Sequence, residues 1–138
     1  MTTSAHVFDS WALMAFFENE PSADSVEQLI VNAQEGNSRL LITTVNLGEI
    51  WYSTARAKSE SIADEIITDI RNLGFETVDA DWELTRCAAA FKTNYKLAYA
   101  DCFAAALAKL RKLPLVTGDP EFRQLKREME ILWMGEPF

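Results

Sequence analysis

Apolar residues recur along this chain in two alternating rhythms. Short apolar runs at Ala5–Phe8, Arg39–Thr43, Phe75–Asp79, Leu115–Thr117 and Glu130–Met134 have strand length. The Arg39–Thr43 run does not alternate with polar residues, which is the pattern of a strand buried on both faces in a parallel sheet. Between the runs lie stretches of helical composition. Trp11–Phe17 is broken by Glu18-Asn-Glu-Pro21. Ser22–Ala33 places Val26, Leu29, Ile30 and Ala33 on one face, and a Gly36-Asn-Ser38 turn follows. Residues 44–57 and Ser59–Leu73 continue the series, the latter ending at Gly74 as a C-cap. Asp81 is placed to cap a helix from Trp82 to about Asn94, and the Ala-rich helix Tyr99–Lys112 stops before Pro114. Pro120 sits in the first turn of a short helix after Asp119. Short strands alternating with helices predict an α/β fold: a central parallel sheet of about five short strands covered on both faces. No repeat, linker or low-complexity tract divides it, so residues 1–138 read as one domain.

Composition narrows the function classes. At 138 residues, 49% apolar and 25% charged, the chain suits one soluble core. It contains no apolar run of about 18 residues that could span a membrane. Its first residues, Met1 to His6, lack the basic start and apolar stretch of a secretory signal, so the cytoplasm is the expected compartment. Cys87 and Cys102 lie in helical stretches with no Cys or His partner at ligand spacing, and read as reduced, buried thiols. The net charge of −8 counts against phosphate contact. Setting four carboxylates aside as metal ligands weakens that objection without removing it.

Four acids change the picture. In open parallel sheets, ligands bind beyond the carboxyl ends of the strands, where the strand order reverses. Asp9 follows the first strand and Asp119 the fourth. Glu49 falls within two turns of the helix after the second strand, and Asp101 begins the helix that leads back into the fourth. One topology brings all four to one edge. Taken singly, Asp9, Asp101 and Asp119 are each better read as helix caps. Glu49 sits among Val45, Leu47, Ile50 and Trp51 in a helix expected to be largely buried, where a lone carboxylate is costly unless paired or metal-bound. Clustered carboxylates repel one another unless cations neutralise them, and oxygen-only ligands suit Mg²⁺ or Mn²⁺. His6, the one histidine, reads as structural, which leaves a two-histidine nuclease or a His/Cys zinc site without its ligands.

Val7–Pro21, Thr43–Tyr52, Tyr99–Ala108 and Leu115–Phe122 resemble, in order and across nearly the whole chain, the four signature segments of the PIN domain, and among PIN domains the VapC branch of toxin–antitoxin nucleases. The resemblance implies a three-layer α/β/α sandwich and Mg²⁺- or Mn²⁺-dependent cleavage of single-stranded or structured RNA such as tRNA or rRNA. It places the catalytic, metal-binding acids at Asp9, Glu49, Asp101 and Asp119. Ser10 and Thr117 fall on its hydroxyl positions, expected to orient a carboxylate or a metal-bound water. Asn46, one turn before Glu49, either hydrogen-bonds in the site or caps its helix. The resemblance further implies a homodimer and a cognate VapB-like antitoxin. Trp11, Phe16, Phe17, Trp51 and Tyr52 could offer that partner an apolar groove, with only one or two of them exposed. Lys92 and Lys96, flanking the approach to Asp101, are candidates for RNA contact, as are Arg86, Lys109, Arg111 and Lys112; solvated helix faces explain these residues as well.

Two other classes compete with this reading. A non-catalytic PIN-like module could use the same acids to sequester a basic partner protein. A phosphatase of the haloacid-dehalogenase type would want Asp-x-Asp where Asp9-Ser10-Trp11 stands, and a receiver domain would want a second acid and a Lys after the last strand, where Gly135 follows.

Overall fold

The computed structural model describes residues 4–135; the reading of residues 1–3 as free of a targeting signal lies outside the described residues. Five strands form one parallel sheet: β1 (Ser4–Phe8), β2 (Ser38–Thr43), β3 (Phe75–Val78), β4 (Leu115–Thr117) and β5 (Ile131–Trp133). Their order is β3-β2-β1-β4-β5. The helices are α1 (Ser10–Phe17), α2 (Ala23–Gln34), α3 (Thr44–Ala57), α4 (Glu60–Asn72), α5 (Trp82–Asn94) and α6 (Tyr99–Arg111). The short turn after β4, Pro120–Leu125, is a 3₁₀ helix. The elements expected from the sequence are all present, with ends shifted by one or two residues where strands and helices fray.

Successive strand residues point to opposite faces, and the core divides accordingly. Val7, Leu41 and Leu115 join α5 and α6 in one cluster with Leu84, Phe91, Phe103 and Leu107. Their neighbours Phe8, Leu40, Ile42 and Val116 join α1, α2, α3 and α4 in the other, with Leu13, Val26, Ile30, Ile50 and Ile70. The result is the expected α/β/α sandwich. Helix α6 is buried continuously from Cys102 to Ala108, and its alanines let it lie close against β1, β2, β4 and α5. That burial fixes the position of its first turn, where Asp101 sits. Both cysteines are free thiols, Cys102 buried and Cys87 half-buried, and burial pushes the Cys102 thiol up to about 11.

Among the described residues, no helix is long and apolar enough to cross a membrane.

Candidate metal centre

Strand β1 occupies the middle of the sheet. The chain leaves it outward through β2 and β3, then crosses to the other side for β4 and β5, so the order reverses between β1 and β4. The crevice at a parallel sheet's switch point opens where these two carboxyl ends meet. Asp9 and the Thr117-Gly118-Asp119 segment lie there.

Asp9 is fully buried. Its Oδ1 accepts the backbone N–H of Ala12 at 2.9 Å, which caps α1, and its Oδ2 accepts the Thr117 hydroxyl at 2.5 Å. The buried Thr117 Oγ1 in turn accepts the backbone N–H of Asp119 at 3.0 Å. Asp119 then caps the 3₁₀ helix by accepting the N–H of Glu121 at 3.0 Å. Capping is therefore real for Asp9 and Asp119, and coexists with their place in the crevice. It is not the role of Asp101. Ala98, at the N-cap of α6, gives it no side-chain cap, and Asp101 stands half-buried in the first turn.

The electrostatics join the four acids. Burial pushes the Asp9 carboxyl up to about 8; the Thr117 and Ala12 hydrogen bonds oppose the shift, and Asp101 and Asp119 reinforce it. Asp101 is pushed up to about 7, first by burial and then by Glu49, Asp119 and Glu121. The charged groups that shift these two carboxyls are all acids, and each raises them. Glu121 is an addition that the sequence did not flag; its position two residues after Asp119, at the start of a turn of 3₁₀ helix, was the available signal.

Glu49 corrects one step of the sequence argument. The buried face of α3 carries Asn46, Leu47 and Ile50, while Glu49, Val45 and Trp51 are half-buried and Gly48 is exposed. The costly, fully buried carboxylate here is Asp9, one of the three that also read as caps. Among the described residues, no three His, Cys, Asp or Glu side chains are already gathered around a point that could hold a metal ion. Two of the acids are turned into local hydrogen bonds, and Mg²⁺ takes only one or two carboxylates directly while keeping several waters.

Ser10 makes no hydrogen bond to a carboxylate: its hydroxyl donates to the Asn46 carbonyl at 3.1 Å. Asn46, fully buried, donates from Nδ2 to Ser10 Oγ at 3.3 Å and to the Ala100 carbonyl at 3.1 Å. Thr43, not Asn46, caps α3: its Oγ1 accepts the Asn46 N–H at 3.0 Å and donates to Asn46 Oδ1 at 2.5 Å. Thr117, by contrast, does donate to a carboxylate, that of Asp9.

The basic residues separate into two groups. Lys92 donates to the Leu97 carbonyl at 2.7 Å and so braces the loop before α6, and Lys109 is paired with Glu128. Lys96 is exposed in that loop, and its backbone N–H and carbonyl are both held by the Gln124 side chain at 3.1 and 3.0 Å. Those bonds pin the loop to the 3₁₀ helix, placing Lys96 beside a segment rich in exposed Arg123, Lys126 and Arg127. Of the five aromatic groove candidates, Tyr52 is exposed and the other four are half-buried. A cavity of about 460 Å³ lies beside the acids rather than among them, lined by Trp11, Met14, Pro21, Gly118 and Met134.

The family model of the PIN domain matches residues 7–128. This chain belongs to the PIN-domain family. Solved structures agree on the fold. VapBC2 from Rickettsia felis, bound to a DNA fragment from its promoter, is 17% identical with a TM-score of 0.72, covering 94% of this chain and 98% of that one. DNA-bound VapBC from Salmonella typhimurium is 15% identical, with the same TM-score and coverage. VapC20 from Mycobacterium tuberculosis, described as a sarcin–ricin loop cleaving toxin, is 10% identical with a TM-score of 0.69, covering 86% and 93%. A search of curated proteins found no match. Within this PIN domain, Asp9 and Asp119 lie at the carboxyl edge of the sheet between β1 and β4.

Proposed function

We propose that this PIN domain is a divalent-metal-dependent endoribonuclease of the VapC type, the toxin half of a toxin–antitoxin pair. The observation that supports this reading most is the placement of a fully buried Asp9 beside Asp101 and Asp119, with only acids raising its pKa further. A buried carboxylate in acidic company is stable as an anion only with a cation close by.

The residues fit a hard cation. Asp9, Glu49, Asp101 and Asp119 supply only carboxylate oxygens, the donors that Mg²⁺ and Mn²⁺ prefer. Once bound, the ion supplies neutralising charge and lowers the pKa of a coordinated water, the requirements of phosphodiester hydrolysis near neutral pH. The chain's own groups hold the ligands in place. Thr117 fixes Asp9 through Oδ2 and Asp119 through its backbone N–H, so one hydroxyl spans the β1 and β4 sides of the crevice. The Asp101 carboxylate is not used as a cap and is able to turn toward an incoming ion or solvent.

RNA is the substrate we assign, a structured molecule such as tRNA or rRNA. Lys96 is exposed beside the 3₁₀ helix that Asp119 caps, and with Arg123 of that helix it could follow a phosphate backbone. The partner we assign is a cognate VapB-like antitoxin, in keeping with toxin–antitoxin complexes among the structures of this fold. The protein would act in the cytoplasm as a homodimer. Induced expression followed by sequencing of RNA 5′ ends, beside an Asp101→Asn control, tests the reading. Discrete new ends with the wild type alone support it; the same ends with the variant would sink it.

A further inference from the structure

Asn46 lies outside the acidic set, yet it is tied to the elements that carry Asp9, Asp101 and Glu49. Its Nδ2 reaches Ser10, the residue after Asp9, and the carbonyl of Ala100, the residue before Asp101. Its Oδ1 and backbone N–H both engage Thr43, the cap of the helix that carries Glu49. Its own carbonyl receives the Ser10 hydroxyl. Asn46, Ser10 and Thr43 are all buried, and every polar group of the Asn46 side chain is used.

We propose that Asn46 is a positioning residue that sets the spacing of Asp9, Glu49 and Asp101 for metal binding. The inference rests on the metal-nuclease reading. Strand β1 and helix α6 also meet through side-chain packing, but apolar contact is non-directional and tolerates sliding. The crevice ends of β1, α3 and α6 are joined by hydrogen bonds from one amide, and such bonds fix both distance and direction. A fully satisfied buried network of this kind specifies one arrangement, and a half-satisfied one is costly. An Asp at this position has the same shape but no N–H to give Ser10 and Ala100. An Ala releases Ser10, Thr43 and Ala100 together. Outer groups that orient metal ligands typically change affinity about 10- to 100-fold when removed.

The test uses the full chain, with Mn²⁺ alone as the probe for calorimetry and RNA for kinetics. Asn46→Ala, assayed at a temperature where circular dichroism shows it folded, is expected to bind Mn²⁺ about 10- to 100-fold more weakly. Its kcat should fall at saturating RNA with KM for RNA little changed. Ser10→Ala, a smaller change that breaks only the Asp9 arm, is expected to weaken Mn²⁺ binding less, and serves if Asn46→Ala does not fold. Wild-type Mn²⁺ affinity and kcat in folded Asn46→Ala, or in Ser10→Ala when that variant stands in, would overturn the inference alone. A wild-type protein that neither binds Mn²⁺ nor cleaves RNA would overturn the metal-nuclease reading, and this inference with it.

Discussion

The Thr117 hydroxyl donates a 2.5 Å hydrogen bond to Oδ2 of Asp9, joining residues 108 positions apart at the ends of adjacent parallel strands. The bond spans the switch point of the sheet. It also partly offsets the cost of burying Asp9, since it favours the charged carboxylate that burial disfavours.

Thr117→Val keeps the shape of the side chain and removes its hydroxyl. Asp9 Oδ2 and the Asp119 N–H each lose their partner in a buried setting. A loss of about 1–3 kcal/mol is expected from leaving such a group unsatisfied. Urea unfolding of the metal-free protein measures it, and Mn²⁺ affinity should fall in parallel.

The metal-free protein should lose stability as pH rises. Asp9 and Asp101 titrate at about 8 and 7 in the fold, above the ordinary carboxyl value of 3.8 that applies when unfolded. The folded state therefore binds more protons across that interval, and stability falls with pH. Their contribution is fully present below about pH 4 and is lost as pH rises through about 7 to 8. Thermal melts in EDTA from pH 5 to 8.5 should show a falling Tm, and saturating Mn²⁺ should remove much of the fall. A Tm rising steadily over this range in EDTA would contradict the raised carboxyl values.

Gly118 separates Thr117 from Asp119, and its lack of a side chain is structural. A Cβ there would lie 2.1 Å from Trp11 Cη2 and 2.8 Å from the Met134 carbonyl oxygen. The indole and the backbone cannot both yield cheaply. Gly118→Ala should destabilise by roughly 1–3 kcal/mol, the usual cost of overpacking. It should also displace Trp11, read as a change in tryptophan fluorescence, and lower Mn²⁺ affinity by moving Asp119.

Most of this fold was legible because its signals are local. Strand-length apolar runs, Gly74 after α4 and Asp81 before α5 mark elements without reference to the rest of the chain. The place of Asp9 and Asp119 at the carboxyl edge was legible because each lies within two residues of a strand's end, and topology then does the rest. Side-chain burial was not legible in the same way. Glu49 has apolar neighbours in sequence, but half of α3 faces outward and Glu49 lies at that boundary. The partners of Ser10 and Asn46 were hidden because they are set by packing between β1, α3 and α6, which no spacing along the chain records. Lys92 looked like a free cation until the Leu97 carbonyl claimed it.

The central claim is that the crevice acids bind a divalent ion and that the ion drives RNA cleavage. Incubation of purified protein with structured RNA in Mn²⁺, in EDTA, and in Mn²⁺ with Asp101→Asn tests it in one experiment. The account predicts cleavage at discrete sites in Mn²⁺, none in EDTA, and a loss of roughly a hundredfold or more for Asp101→Asn, on the scale of removing one electrostatic stabiliser. The folded variant should melt higher than wild type in EDTA near pH 8, because one repelling charge is gone. Equal cleavage by wild type and Asp101→Asn, or undiminished cleavage in EDTA, would contradict the account.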